Sequence, residues 1–208
     1  MRLNEIAGPA GRLEALLEAP AEKSAIRAAV VFGHPHPQYG GTMHTKVVYQ
    51  TAKALSRIGC VVLRFNFRGA GRSAGAFDQG VGELGDFRAG LDFLHDRHPG
   101  VPLWAGGMSF GAWIGMTAGA RDSRVSTLIG VAMPVCRYDF GEVQVSTKPK
   151  FFIHGERDEI CSLKQIREFY ARSEEPKELA VIDAADHLFD GKAGEVADAI
   201  EDLLGDWS

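Results

Sequence analysis

Apolar and polar positions alternate along the chain in two distinct rhythms. Short apolar, often β-branched runs at residues 26–32 (IRAAVVF), 60–65 (CVVLRF), 101–105 (VPLWA), 127–132 (TLIGVA), 150–153 (KFFI) and 179–182 (LAVI) predict strands. Several are apolar at successive positions, as strands covered on both faces are. Between them lie longer segments with apolar residues three and four apart, which predict helices. The first is 45–58, with Val47, Val48, Leu55 and Ile58 on one side and Gly59 as its stop; the second is 83–94, with Leu84, Phe87, Leu91 and Leu94. Three more follow at 110–120, 163–172 and 195–204. Strands alternating with helices predict an α/β fold with a mostly parallel sheet, and residues 13–17 predict an antiparallel strand ahead of it. In the 110–120 helix, Gly111, Gly115 and Gly119 leave one face almost bare, able to press against the sheet or a neighbouring helix. No repeat, low-complexity segment or linker interrupts the pattern, so one domain spanning 1–208 is expected.

The segment 105–113, AGGMSFGAW, stands where a strand pattern turns into a helix pattern, and it holds one serine between glycines. A strand that reverses sharply into a helix needs backbone room on both sides of its apex residue, which Gly107 and Gly111 supply. The apex, Ser109, would then lift its hydroxyl clear of the sheet. Gly107–Gly111 fits G-x-S-x-G with strand before and helix after, the context of a nucleophile elbow, in which an acid and then a histidine follow the serine along the chain. A serine hydroxyl attacks only once a base takes its proton and a third group orients that base. Of seven histidines, His187 alone lies beyond the segment 154–159, HGERDE, and it follows the last strand pattern. HGERDE closes a strand and offers three carboxylates. Asp158 is the preferred orienting acid, because Gly155 allows a turn that aims a residue three positions on; Glu156 and Glu159 read as solvated and Asp186 as a weaker candidate. For the oxyanion, the N–H of Phe110 is one expected donor. The other belongs to the loop 34–42, HPHPQYGGT, where proline cannot donate and His36 carries the free amide between Pro35 and Pro37, with Gln38 or Tyr39 as fallback.

Other patterns carry blander readings. Residues 69–74, GAGRSA, match a dinucleotide fingerprint but open no helix, so a tight loop near the site is expected rather than a cofactor. His34 and His36 form H-x-H without a third ligand at a suitable spacing, so no metal is expected. Arg64, Asn66 and Arg68 alternate along a strand end and read as ion pairing at the sheet rim, with a substrate contact from Asn66 or Arg68 as the minor alternative. Tyr39 is a further candidate substrate contact. Trp113 and Phe110 read as core, Phe110 also as acyl-pocket lining, and Phe140 with Trp113 could line an apolar groove.

The quoted pieces occur in one order: HPHPQYGGTMHTKVV (34–48), LRFNFRGAGRSAG (63–75), GMSFGAW (107–113), HGERDE (154–159) and ADHLF (185–189). In this order the chain resembles the α/β-hydrolase superfamily, and more narrowly its small lid-less bacterial serine hydrolases, similar to dienelactone hydrolase-like and short-chain esterase enzymes. The resemblance implies an eight-stranded, mostly parallel, twisted sheet flanked by helices, no cap domain, and Ser109, Asp158 and His187 as catalytic triad. It agrees with the reading of the residues.

Composition narrows the partners. The 208 residues are 45% hydrophobic and 24% charged with a net charge of −4, and they show no basic stripe, so no nucleic-acid partner is expected. No apolar run matches a signal peptide or a membrane span, which leads to the expectation of a cytoplasmic protein. Cys60, Cys136 and Cys161 are odd in number and widely spaced, and read as reduced thiols. The expected substrate is a small ester or thioester cleaved without a cofactor. A peptidase or amidase using the same triad, and a non-catalytic binding protein on the same fold, are the alternatives. The segment 136–147 is too short for a helical cap, so an open site favouring acetyl to butyryl groups is expected.

Overall fold

The computed structural model describes residues 5–20 and 26–207. Eight strands form one sheet: β1 (Glu5–Gly8), β2 (Gly11–Glu18), β3 (Ala29–Gly33), β4 (Val61–Phe65), β5 (Leu103–Met108), β6 (Val125–Val131), β7 (Lys150–Gly155) and β8 (Lys177–Ile182). Their spatial order is β1-β2-β4-β3-β5-β6-β7-β8, antiparallel at the β1–β2 and β2–β4 pairings and parallel from β4 through β8. The helices are α1 (Lys46–Arg57), α2 (Val81–Arg97), α3 (Phe110–Arg121), α4 (Gly141–Val145), α5 (Leu163–Arg172) and α6 (Ala193–Leu204).

The uninterrupted apolar runs sit in strands covered on both faces. In β3, Ala29 and Val31 face a core shared with Phe87 and Leu91 of α2, while Val30 and Phe32 face a second core shared with Val47, Leu55 and Ile200 of α1 and α6. β3, β4, β5 and β7 are buried at every residue and β6 at all but Ser126, so these strands bury both their alternating sets and polar positions are scarce in them, whereas the run in the edge strand β8 is only partly buried. Every helix expected from periodicity is present, with ends shifted by a few residues. The short α4, lying in the segment 136–147, and the edge strand β1 carry too few residues for a periodic signal. Among the described residues no cap covers the sheet: the segment expected to be too short for one holds a single five-residue helix.

The bare face of α3 presses on the sheet. A Cβ at Gly111 would fall 2.5 Å from the carbonyl oxygens of Gly33 and His34, and one at Gly115 would fall 2.5 Å from that of Gly106. Backbone cannot yield as a side-chain tip does, so a methyl group at Gly111 must push α3 away from β3. Gly111→Ala is expected to destabilise the fold by about 3 kcal/mol or more. A urea midpoint within experimental error of the native one would contradict this close approach.

The ladder positions the loops. Since β5 lies between β3 and β6, the loops leaving the carboxyl ends of β3 and β6 stand on either side of the residue that follows β5, Ser109. Crevices of this kind, outside the carboxyl ends of a parallel sheet, are where such folds collect reactive groups.

Candidate active site

Ser109 joins β5 to α3 with φ 54° and ψ −119°, a conformation that side chains with a Cβ rarely adopt. The sharp reversal is held by the Ser109 N–H, which donates to the Val131 carbonyl at 2.8 Å, and by the glycines on either side. Its Oγ lies 2.9 Å from Nε2 of His187, and Nδ1 of His187 lies 2.7 Å from Oδ2 of Asp158. The other carboxylate oxygen of Asp158 accepts the N–H groups of Ile160 (2.8 Å) and Cys161 (2.9 Å). Burial alone would raise the Asp158 pKa. The hydrogen bonds from His187 and the Cys161 amide outweigh it, and the carboxyl is held below its ordinary value. An ionised Asp158 requires the proton on Nδ1 of His187, which leaves Nε2 free to accept from the serine hydroxyl.

Two loops must meet for this line to form, and backbone and side chains both tie them. Glu156 N–H donates to Ile182 O at 3.0 Å and Arg157 N–H to Ala185 O at 2.8 Å. Glu156 and Glu159, read from sequence as solvated, are exposed, yet their carboxylates accept the N–H groups of Ala184 (2.8 Å) and His187 (3.2 Å). They pin the histidine loop to the acid loop. Asp186 accepts the Asp190 N–H within its own turn, and Asp158 takes the imidazole.

The reversal also leaves the Phe110 N–H, and the loop after β3 the His36 N–H, without a protein acceptor among the described residues. Beneath that loop His34 is fully buried: its Nδ1–H donates to the Pro35 carbonyl at 2.6 Å and its Nε2 accepts the Phe67 N–H at 3.0 Å. Both ring nitrogens are thereby committed, so the H-x-H pair cannot share a metal through His34. Among the described residues no group of three or more potential ligands gathers. Burial lowers the His34 pKa to about 4. The unfolded chain takes this proton near pH 6.5 and the folded one only near 4, so His34 stabilises the fold fully above pH 6.5. That contribution, about 3 kcal/mol, is lost as pH falls from 6.5 through 4. Urea unfolding at pH 7 and pH 4 should show it, and His34→Gln should flatten the dependence; equal acid losses in both proteins would contradict the assignment.

A cavity of about 390 Å³ opens above Ser109, lined by Pro35, His36, Tyr39, Phe110, Pro134, Arg137, Tyr138, Glu159, Ile160, His187 and Leu188. Of the sequence candidates for pocket lining and substrate contact, Phe110 and Tyr39 are there. Asn66 is not: its Oδ1 accepts the Met43 N–H and its Nδ2 donates to Glu14, each at 2.8 Å, so both ends of the amide serve the fold. Phe140 is buried instead in the core against Phe169 of α5, ring centroids 5.9 Å apart. Arg68, past the end of β4, forms a two-point ion pair with Asp86; Arg64 also forms an ion pair, with Glu18 of β2, but it is buried within β4 and does not stand at the sheet rim. Residues 69–74 fold against the β1–β2 hairpin through Ser73, which accepts the Glu14 N–H, and none of them lines the cavity. The wall from the loop after β6, Pro134, Arg137 and Tyr138, was not legible in the sequence; Leu188 had a signal in its place directly after the histidine.

The family model described as serine aminopeptidase, S33, matches residues 24–141. An α/β serine hydrolase homologue from Coxiella burnetii has 36% sequence identity to this chain, covering 96% of it and 95% of its own chain, and superposes with a TM-score of 0.91. The chain belongs to the α/β-hydrolase superfamily. A lid-less α/β serine hydrolase from Xanthomonas campestris superposes equally well, TM-score 0.91 at 33% identity, covering all of this chain and 94% of that one. An uncharacterised protein of Rickettsia prowazekii is 37% identical over 206 residues, covering 95% of this chain and 86% of that one. This α/β-hydrolase therefore shares its open, lid-less sheet with serine hydrolase homologues along nearly its whole length. Among the described residues, no helix is long and apolar enough to cross a membrane.

Proposed function

We propose that the protein, a single domain over residues 1–208, hydrolyses small carboxylic esters or thioesters through an acyl-enzyme on Ser109. The observation that carries this reading is the unbroken hydrogen-bonded line from Ser109 Oγ through His187 to Asp158, ending in an apolar cavity. In the reaction the hydroxyl oxygen attacks the carbonyl carbon while its proton passes to Nε2 of His187. The oxyanion that develops is held by the N–H groups of Phe110 and His36. Collapse expels the alcohol or thiol, which takes the proton back from His187, and water then repeats the sequence to release the acid. Asp158 orients His187 and stabilises its cationic form. A binding protein that had lost catalysis would carry a gap in this line, and here each position is filled.

An aminopeptidase is the second reading, favoured by the family description and by Glu159, an exposed carboxylate lining the cavity where a substrate ammonium could bind. Assay of p-nitrophenyl esters and acyl-CoA thioesters of graded length, beside aminoacyl p-nitroanilides, separates the two. Among straight-chain esters, acetyl to butyryl groups should be turned over best, because with no cap over the sheet further methylenes stay hydrated and add little. A kcat/KM that climbs steadily through decanoyl would refute the open site, and faster cleavage of the anilides would favour the aminopeptidase.

A further inference from the structure

We infer that the site takes esters that carry a planar aromatic ring, seated between Tyr39 and Tyr138 above Ser109. The inference rests on the reading of Ser109 as nucleophile and adds the substrate class. A cavity of about 390 Å³ is more than a two- to four-carbon acyl group fills, and it lies in the range of roughly 300–1,000 Å³ that holds larger organic ligands. Its two aromatic walls come from opposite sides. Tyr39 stands on the loop after β3 and Tyr138 on the loop after β6, the two strands that flank β5, after which Ser109 stands.

Both walls are built before any substrate arrives. Tyr138 lies parallel to Trp113, centroids 4.4 Å apart and planes 8° apart, and Trp113 is itself fixed by its Nε1–H donating to the Asp139 carbonyl at 3.0 Å. On the other side the 3-10 turn Pro37–Tyr39 is closed by the Tyr39 and Gly41 N–H groups, which both donate to His36 O at 3.1 Å. The His36 ring is wedged against Phe77 (4.7 Å) and Phe110 (5.0 Å), and Tyr39 leans on it at 4.6 Å while remaining 84% exposed. A large ring left this exposed at a cavity mouth, on a braced turn, offers a face to a ligand at little ordering cost. Apolar area alone does not distinguish an aromatic from a saturated ring, whereas ring faces do, since aromatic pairs gain attraction beyond their buried area.

The test compares esters matched in carbon skeleton, followed by titration of released acid. One pair varies the acyl side, ethyl 3-phenylpropanoate against ethyl 3-cyclohexylpropanoate; the other varies the alcohol side, benzyl acetate against cyclohexylmethyl acetate. In at least one pair the aromatic member should have the higher kcat/KM by roughly 2- to 12-fold, and Tyr39→Leu and Tyr138→Leu should each bring that ratio toward one. Tyr39 is exposed enough to be replaced without loss of the fold. Equal rates in both pairs, or a ratio that survives both substitutions, would overturn the slot. Calorimetric binding of 3-phenylpropanoate and 3-cyclohexylpropanoate to the Ser109→Ala protein reads the slot without turnover: tighter binding of the aromatic acid supports it, and equal binding overturns it. Failure of the native protein to cleave ethyl butyrate or any of these esters would instead overturn the hydrolase reading, with the binding comparison still deciding the slot.

Discussion

Ser109→Ala is expected to lower kcat for ester hydrolysis by roughly 10⁶-fold, leaving only the residual acceleration that binding and the oxyanion donors supply. It should also abolish labelling by a fluorophosphonate, which in the native protein should react once per chain, because an activated serine attacks phosphorus as it does carbon. The substitution keeps the Cβ, so the unusual φ of 54° and the close packing of α3 on β3 are unchanged. What is lost is the 2.9 Å hydrogen bond to His187, and the fold should survive with a melting temperature within a few degrees of the native one. Removing His187 as well should add little, because the two act as one unit. Labelling that persists in Ser109→Ala would place the nucleophile elsewhere. An activity loss that simply multiplies in the double variant would argue against a shared relay.

Asp158→Asn should cost roughly 10³- to 10⁴-fold in kcat with little change in the fold, for a reason that lies in hydrogen-bond direction. One oxygen of Asp158 accepts two backbone amides, those of Ile160 and Cys161, and the other accepts from Nδ1 of His187. An asparagine in this place keeps its carbonyl oxygen toward the two amides, since the reverse orientation would set its NH₂ against two donors. Its NH₂ then points at Nδ1 and donates to it. The imidazole must carry its proton on Nε2 instead, and a protonated Nε2 cannot accept from Ser109. The same hydrogen bonds hold the Asp158 pKa below its ordinary value despite burial, so the native protein gains stability from the ionised carboxylate above the ordinary aspartate range and loses it as pH falls below that range. Asp158→Asn should therefore be less sensitive to acid than the native protein. A variant that retains more than a tenth of native kcat would dismiss Asp158 as the orienting acid.

Much of the fold was readable from periodicity because helices and strands are short-range objects. The spacing of Leu84, Phe87, Leu91 and Leu94 reports one face of α2 wherever that helix packs, and the doubly apolar run of β3 reports two covered faces without saying what covers them. Ser109 was equally legible, since the glycines at 107 and 111 act on the very next peptide units. Asn66 and Phe140 were misplaced because their fates depend on neighbours distant in sequence: Glu14 and Met43 take both ends of the Asn66 amide, and Phe169 receives the Phe140 ring.

The amino-acid sequence by itself determined the alternation of strands and helices, the strained reversal at Ser109 and the small set of acids and histidines able to serve it. Covalent geometry and local sterics decide these within a few residues of chain. Tertiary structure set Asp158, the acid preferred from sequence, against the His187 imidazole, and it alone decided that Glu156 and Glu159 tie the histidine loop in place. It also decided that Tyr39 and Tyr138 stand on opposite sides of the serine. Such distances are set by strand order and register, which sum packing over both faces of the sheet and cannot be read from any one stretch of chain.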